Sequence, residues 1–145
     1  MTERLVERAT GLLLVLGTLV AGYLTYEHFT GNATLACSAT GVVDCASVTT
    51  SKYSYLVGIP VALLGLGWFL ASLALWAVSR ARLGWAARNP VQLLWTGAGL
   101  AFVLYLVWVE LVPLGKICSW CTVVHVTVLA IFLLRLAGQV LVDDE

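Results

Sequence analysis

Charge is what this sequence has least of. Of its 145 residues, 8 are Lys or Arg and 8 are Asp or Glu, 11% in all, where a soluble domain carries about 25%. So few charges cannot cover a water-facing surface. The net charge of zero leaves no basic field to attract nucleic acid, and that class of function is excluded. Proline is scarce too, at 3 residues. No internal repeat, low-complexity tract or inter-domain linker interrupts the chain, so one domain over 1–145 is expected.

What fills the chain is apolar: 61% of residues are hydrophobic and the mean hydropathy is +0.96. The stretches 9–26, 53–79, 89–109 and 117–134 contain no Asp, Glu, Lys or Arg. Each approaches or exceeds the ~17–25 residues that cross a hydrocarbon core of about 30 Å. The expected fold is all-α: a polytopic bundle of four transmembrane helices, with spans near 9–27, 56–79, 90–112 and 117–138. The first stretch follows Arg4 and Arg8, as a signal peptide would. It is longer than an h-region and ends in Gly22-Tyr23-Leu24-Thr25-Tyr26-Glu27, with no small-x-small cleavage site, so a retained span is expected.

Basic residues set the expected orientation. Arg4, Arg8, Arg80, Arg82, Arg88 and Arg135 fall on one side of a four-span chain, and only Lys52 and Lys116 on the other. Both termini are then cytoplasmic, and the first and third loops face outward. Asn89-Pro90 starts the third span with a capping side chain and a proline at the first helical position. Pro113-Leu114-Gly115 ends that span in a tight return, and Gly58-Ile59-Pro60 lies near the start of the second. The first loop, 27–52, is rich in small polar residues, as in Thr30-Gly31-Asn32-Ala33-Thr34 and Ser38-Ala39-Thr40-Gly41. It is expected to lie over the bundle mouth as a mobile cover, with a short helix near 47–51.

All 4 cysteines fall on the outward side: Cys37 and Cys45 in the first loop, Cys118 and Cys121 where the fourth span begins. Disulfides persist in oxidising compartments, so topology and cysteine placement agree. Cys118-Ser119-Trp120-Cys121 is a CxxC at a helix N-terminus. Residues i and i+3 share a helix face, and the free N–H groups with the positive dipole end favour a thiolate at Cys118. Cys118 is expected to face the aqueous loop, with Cys121 one turn deeper, towards lipid. Three readings of these residues stand side by side. They are a thiol–disulfide relay, two inert structural disulfides, or a four-thiolate zinc site. Zinc ribbons usually present two tight knuckles, whereas Cys37 and Cys45 are eight apart, so no metal is expected.

Over nearly its whole length the sequence resembles the vitamin K epoxide reductase family in its bacterial form. The resemblance rests on four spans, the first-loop pair Cys37 and Cys45, and Ser51 six residues after the second cysteine. The run Asp44-Cys45-Ala46-Ser47-Val48-Thr49-Thr50-Ser51-Lys52-Tyr53, the run Gly58-Ile59-Pro60-Val61-Ala62-Leu63-Leu64-Gly65, and the late CxxC complete it. The resemblance implies a quinone-linked thiol–disulfide oxidoreductase. Cys118 and Cys121 would be the active-site pair, with Cys121 nearest the quinone. Cys45 would exchange with Cys118, and Cys37 with an external thiol protein. Ser51 matches the family serine that supports the cysteines and the quinone. His125 stands where animal members carry tyrosine, and Ser54 aligns with an asparagine that hydrogen-bonds the quinone in animal members.

Read as residues alone, these neighbours also have plainer roles. Ser51 either satisfies a thiolate or caps a helix. His125 either donates to a quinone oxygen or bonds a nearby carbonyl. Glu110, at the outward end of the third span, is either functional or snorkels to the interface. Tyr53, Trp120, Leu106 and Val57 are expected to line an apolar slot for a ring, although aromatics at this depth also form interfacial belts.

The expected activity is oxidation of a secreted or periplasmic thioredoxin-like protein, with reduction of a menaquinone-, ubiquinone- or phylloquinone-type acceptor. The chain ends at Asp143-Asp144-Glu145 with no fused thioredoxin domain, so a separate partner is expected. The expected location is a bacterial cytoplasmic membrane. Two alternatives are reduction of vitamin K quinone or its epoxide by the same cysteines, and a structural membrane protein with inert disulfides.

Overall fold

A computed structural model describes residues 2–37, 39–83 and 90–143. Helix α1 (Thr2–Phe29) is followed by a loop and the short α2 (Cys45–Thr49). A 3-10 turn (Lys52–Ser54) leads into a two-stranded hairpin, β1 (Tyr55–Leu56) with β2 (Ile59–Pro60). Then come α3 (Val61–Leu83), α4 (Pro90–Val109) with a π-helical extension (Glu110–Leu114), and α5 (Ser119–Asp143). Four helices are long and apolar enough to cross a membrane, over Glu3–Phe29, Val61–Ala81, Pro90–Leu114 and Ser119–Val140. The protein is an all-α integral membrane bundle.

The long helices alternate in direction. Tyr23 and Trp120 meet edge to face at one end of α1 and α5, while Glu7 and Arg135 meet at the other. Helix α1 packs along α3 and α5, α4 packs along α5, and α3 and α4 meet at few points. Small residues allow the close seams, as they do between helices in lipid. A Cβ on Gly17 would lie 2.0 Å from the Phe69 ring, and one on Gly11 2.8 Å from Trp76. Leu14, Ala21, Phe69, Val103, Val128 and Ile131 form the core. Leu14 and Ala21 belong to the first apolar stretch, which is therefore a packed member of the bundle. Leu12, Leu19, Leu94 and Leu104 point outward, as lipid-facing side chains do. Thr10, Thr18 and Thr25 lose no hydrogen-bonding capacity in α1, because each hydroxyl donates to the carbonyl four residues back.

The punctuation acts where the sequence suggests, with two differences. Pro90 is the first residue of α4; its partner Asn89 lies outside the described residues. Gly115 adopts φ +58°, and its N–H bonds the Glu110 carbonyl, closing the return after Pro113. The helix of the second span begins at Val61, later than hydropathy alone indicates. Residues 55–60 are the hairpin, turned through Val57 and Gly58 at φ +52° and +81°. A two-residue turn with positive φ at both positions matches strand twist. The short loop helix spans Cys45–Thr49, two residues earlier than expected.

Candidate functional site

The site is built where the first loop meets the start of α5. Val43 pairs in parallel with Ile117. The Asp44 N–H donates to the Ile117 carbonyl at 3.0 Å, and the Ile117 N–H to the Val42 carbonyl at 2.9 Å. This short ladder ties the residue before Cys45 to the residue before Cys118. Cys45 is 1% exposed and opens α2, while Cys118 is 0% exposed and immediately precedes α5. Asp44 caps α2, its carboxylate accepting from the Ser47 N–H at 3.0 Å and the Ser47 hydroxyl at 2.6 Å.

Further ties make the loop a fixed lid, contrary to the mobile cover expected. The Tyr23 hydroxyl donates to the Thr34 carbonyl and accepts from the Ala36 N–H. The Trp120 indole N–H donates to the Ala36 carbonyl, and Lys116 Nζ to the Gly41 carbonyl. Glu27, fully buried, accepts from the backbone N–H and the hydroxyl of Thr34. Glu27 carries no motif; its only sequence signal is an acid at the end of an apolar run, where a loop must be anchored.

Cys37 and Cys45 are joined by a disulfide, and Cys118 and Cys121 are free. The Cys121 N–H points at Cys118 Sγ from 3.2 Å. A backbone donor at a helix N-terminus stabilises a thiolate there. The expectation that Cys118 faces the aqueous loop is corrected: the ladder and α2 cover it completely. Among the described residues, no group of three or more His, Cys, Asp or Glu is disposed to hold a metal.

Below the thiols lies a cavity of about 390 Å³, walled by α3 and α4 where they diverge. Cys121 opens into it; Cys118 is not on its wall. Its wall includes Trp68 and Trp95, stacked 6.2 Å apart, and Phe102. Of the expected lining residues, Ser51, Tyr53, Ser54, Leu106 and His125 are on the wall. Val57 and Trp120 are not. Val57 is 95% exposed at the hairpin tip, because the chain turns there and lifts the side chain away, and Trp120 packs on Tyr23 and bonds the Ala36 carbonyl in the lid instead.

The polar members differ in what they have left to offer. The Ser51 hydroxyl donates to the Val48 carbonyl at 2.9 Å, and the Ser54 hydroxyl to the Ser51 carbonyl at 2.7 Å. Both protons are committed to the backbone, so Ser51 neither bonds a cysteine sulfur nor caps the turn it precedes. No hydrogen bond engages the His125 ring or the Tyr53 hydroxyl among the described residues, leaving both as donors to the cavity. Glu110 is 6% exposed and also on the wall, so it does not snorkel. His28, not singled out in the sequence, lines the same cavity and bonds the Tyr55 hydroxyl at 3.0 Å.

An apolar slot with a few converging donors and a thiol at its mouth fits a flat ring bearing carbonyl oxygens. The model of the vitamin K epoxide reductase family matches residues 8–136. The chain belongs to the vitamin K epoxide reductase family. That membership places it in an oxidoreductase family, and it agrees with the membrane bundle already described. Membership covers both cysteine pairs and every cavity residue named above.

Proposed function

We propose that this vitamin K epoxide reductase family member oxidises a secreted thioredoxin-like protein through its cysteines and passes the electrons to a membrane quinone. The observation that carries the reading is the Asp44–Ile117 ladder. It sets a bridged pair beside a free pair whose inner thiol opens into a ring-sized apolar cavity. In this reading the cysteine end faces outward, as the six arginines against two lysines suggest.

A thiolate of the partner attacks Cys37 of the Cys37–Cys45 bridge and frees Cys45 as a thiolate. The partner's second thiol resolves the mixed disulfide, leaving the partner oxidised and Cys37 reduced. Cys45 then attacks Cys118 of the oxidised Cys118–Cys121 pair and releases Cys121. Cys37 attacks Cys45 in turn, which restores the loop bridge and leaves Cys118 and Cys121 as the reduced pair. The arrangement of one closed bridge and one free pair corresponds to the protein loaded for quinone reduction. A quinone in the cavity accepts two electrons and two protons. Tyr53 and His125 hold its oxygens, Trp68 and Phe102 sandwich its ring, and the lid above Cys118 excludes water.

The test uses purified protein in detergent with a soluble quinone and a reduced thioredoxin-like protein. Wild type should reduce the quinone at the expense of the partner's thiols. Cys121→Ala should abolish that turnover and accumulate a Cys45–Cys118 disulfide, read by proteolysis and non-reducing mass analysis. A Cys121→Ala protein with normal turnover, the Cys37–Cys45 bridge and a free Cys118 would rule the relay out.

A further inference from the structure

Among the described residues Glu110 is the one Asp, Glu, Lys or Arg on the cavity wall, and its position is tightly determined. It begins the π-helical turn, and its carbonyl receives the N–H groups of both Gly115 and Lys116. This fixes its backbone opposite the start of α5. Its carboxyl is met by the Cys118 backbone N–H and interacts electrostatically with both the Cys118 and Cys121 thiols. No side chain among the described residues pairs with it. The other titratable groups on the wall are His125 on α5, Tyr53 on the 3-10 turn and His28 on α1. Lys116, the nearest basic side chain in sequence, is turned away to the Gly41 carbonyl. An unpaired carboxyl kept inside a membrane protein is costly unless it is used.

Its use follows from the balance of the reaction, and so rests on the reading of the cavity as a quinone site. Forming the Cys118–Cys121 bond breaks two S–H bonds and delivers two electrons and two protons to the two ring oxygens. We propose that Glu110 is the proton carrier between the Cys118/Cys121 pair and the acceptor. Its carboxylate takes the proton leaving a thiol, gives it to a ring oxygen, and returns to the ionised form, once for each S–H bond broken. The cavity wall is almost wholly apolar and Glu110 is buried in it, so a fixed carboxyl takes the place of water as the carrier. His125, a turn further along α5, orients the acceptor and carries no net proton.

The experiment uses the full chain in detergent and has two readouts. One is the pH profile of alkylation of Cys118 and Cys121 in quinone-free reduced protein, resolved by mass analysis. The other is steady-state reduction of a soluble quinone with dithiothreitol as donor. Removing the negative charge with Glu110→Gln should shift Cys118 alkylation to lower pH, because a carboxylate opposes formation of a thiolate beside it. It should also slow turnover by at least about tenfold, the lower side of what general acid–base catalysis supplies, with the quinone KM unchanged. Glu110→Asp should recover part of both changes. Wild-type turnover in Glu110→Gln overturns the proposal, and so does slow turnover with an unmoved alkylation profile. If Glu110→Gln loses its helical circular dichroism, Glu110→Asp decides: slowed turnover at unchanged KM supports the carrier, and wild-type turnover overturns it. A wild-type protein that reduces no quinone overturns the functional reading and this inference together, an outcome distinct from the rest.

Discussion

The two ends of the bundle both bury ionisable groups, and they treat them in opposite ways. At one end Arg135, 2% exposed, donates to Glu7 at 3.0 Å. Thr10, Ser72, Gln92 and Thr96 nearby bond carbonyls of the helix backbones. The void among them is only about 10 Å³. At the cysteine end Glu110 and His125 are buried with no side-chain partner among the described residues, and both face a cavity of about 390 Å³. In lipid, a cluster tied by its own ion pair is a fastening, while buried ionisable groups that face a cavity without a side-chain partner are a place for something else to bind or react. Composition cannot separate the two, because both ends contribute acids and bases to the same apolar sequence.

Breaking the fastening gives the largest expected effect. Glu7→Gln removes the carboxylate from its ion pair with the buried Arg135 guanidinium, and should cost about 3 kcal/mol of stability. Thermal unfolding in detergent measures that loss. Quinone turnover per folded molecule should stay at the wild-type level. A Glu7→Gln protein that is as stable as wild type but slow in turnover would place function at the wrong end.

This contrast marks the boundary of what the sequence discloses. The four helices follow from runs of apolar residues and from Pro90, Pro113 and Gly115, because membrane length and backbone sterics act locally. The Cys118–Cys121 pair follows from its CxxC spacing, and the Cys37–Cys45 pair from the family resemblance. The partners of buried polar groups do not, since Glu7 and Arg135 are 128 residues apart and Glu27 meets Thr34 only when the loop folds back. The same limit hid the burial of Cys118, which the Asp44–Ile117 ladder creates, and the exposure of Val57. An apolar residue between apolar neighbours reads as part of a span, and only the positive φ at Val57 and Gly58 lifts it out. Arg135 shows the converse: one of the six arginines that set the expected orientation is paired within the bundle.

At the cysteine end the contrast sharpens into a comparison of two wall residues. His125→Phe removes a ring with no protein hydrogen bond and keeps an aromatic of similar volume. It should leave thermal stability unchanged or higher, and should raise the quinone KM or lower turnover by roughly tenfold, the worth of one good hydrogen bond at ~1.4 kcal/mol. Ser51→Ala should change turnover far less, because its hydroxyl proton is already given to Val48. Thiol exchange at Cys37 should be untouched in both. A His125→Phe protein that unfolds readily and turns over normally would make His125 a fastening like Arg135.

The smallest expected effect concerns the cap that sets Cys45 in place. Asp44 accepts from the Ser47 hydroxyl and the Ser47 N–H, and these bonds hold its carboxyl below the ordinary value of 3.8. A depressed folded value means that the cap is fully present above pH 3.8 and is lost as pH falls through the lower, folded value. Because Asp44 caps α2 and its own N–H joins the ladder to Ile117, losing the cap should loosen Cys45 and expose the Cys37–Cys45 bridge. Asp44→Ala should therefore be reduced by a water-soluble phosphine several times faster than wild type near neutral pH. Asp44→Asn, which keeps an acceptor oxygen for the Ser47 N–H, should lie between them. The ratio of Asp44→Ala to wild-type rates cancels the titration of the phosphine itself. That ratio should fall towards unity only below pH 3.8, as wild type loses its own cap. A ratio of one near neutral pH would mean that the ladder alone positions Cys45 and that the cap contributes nothing to the guarded state of the bridge.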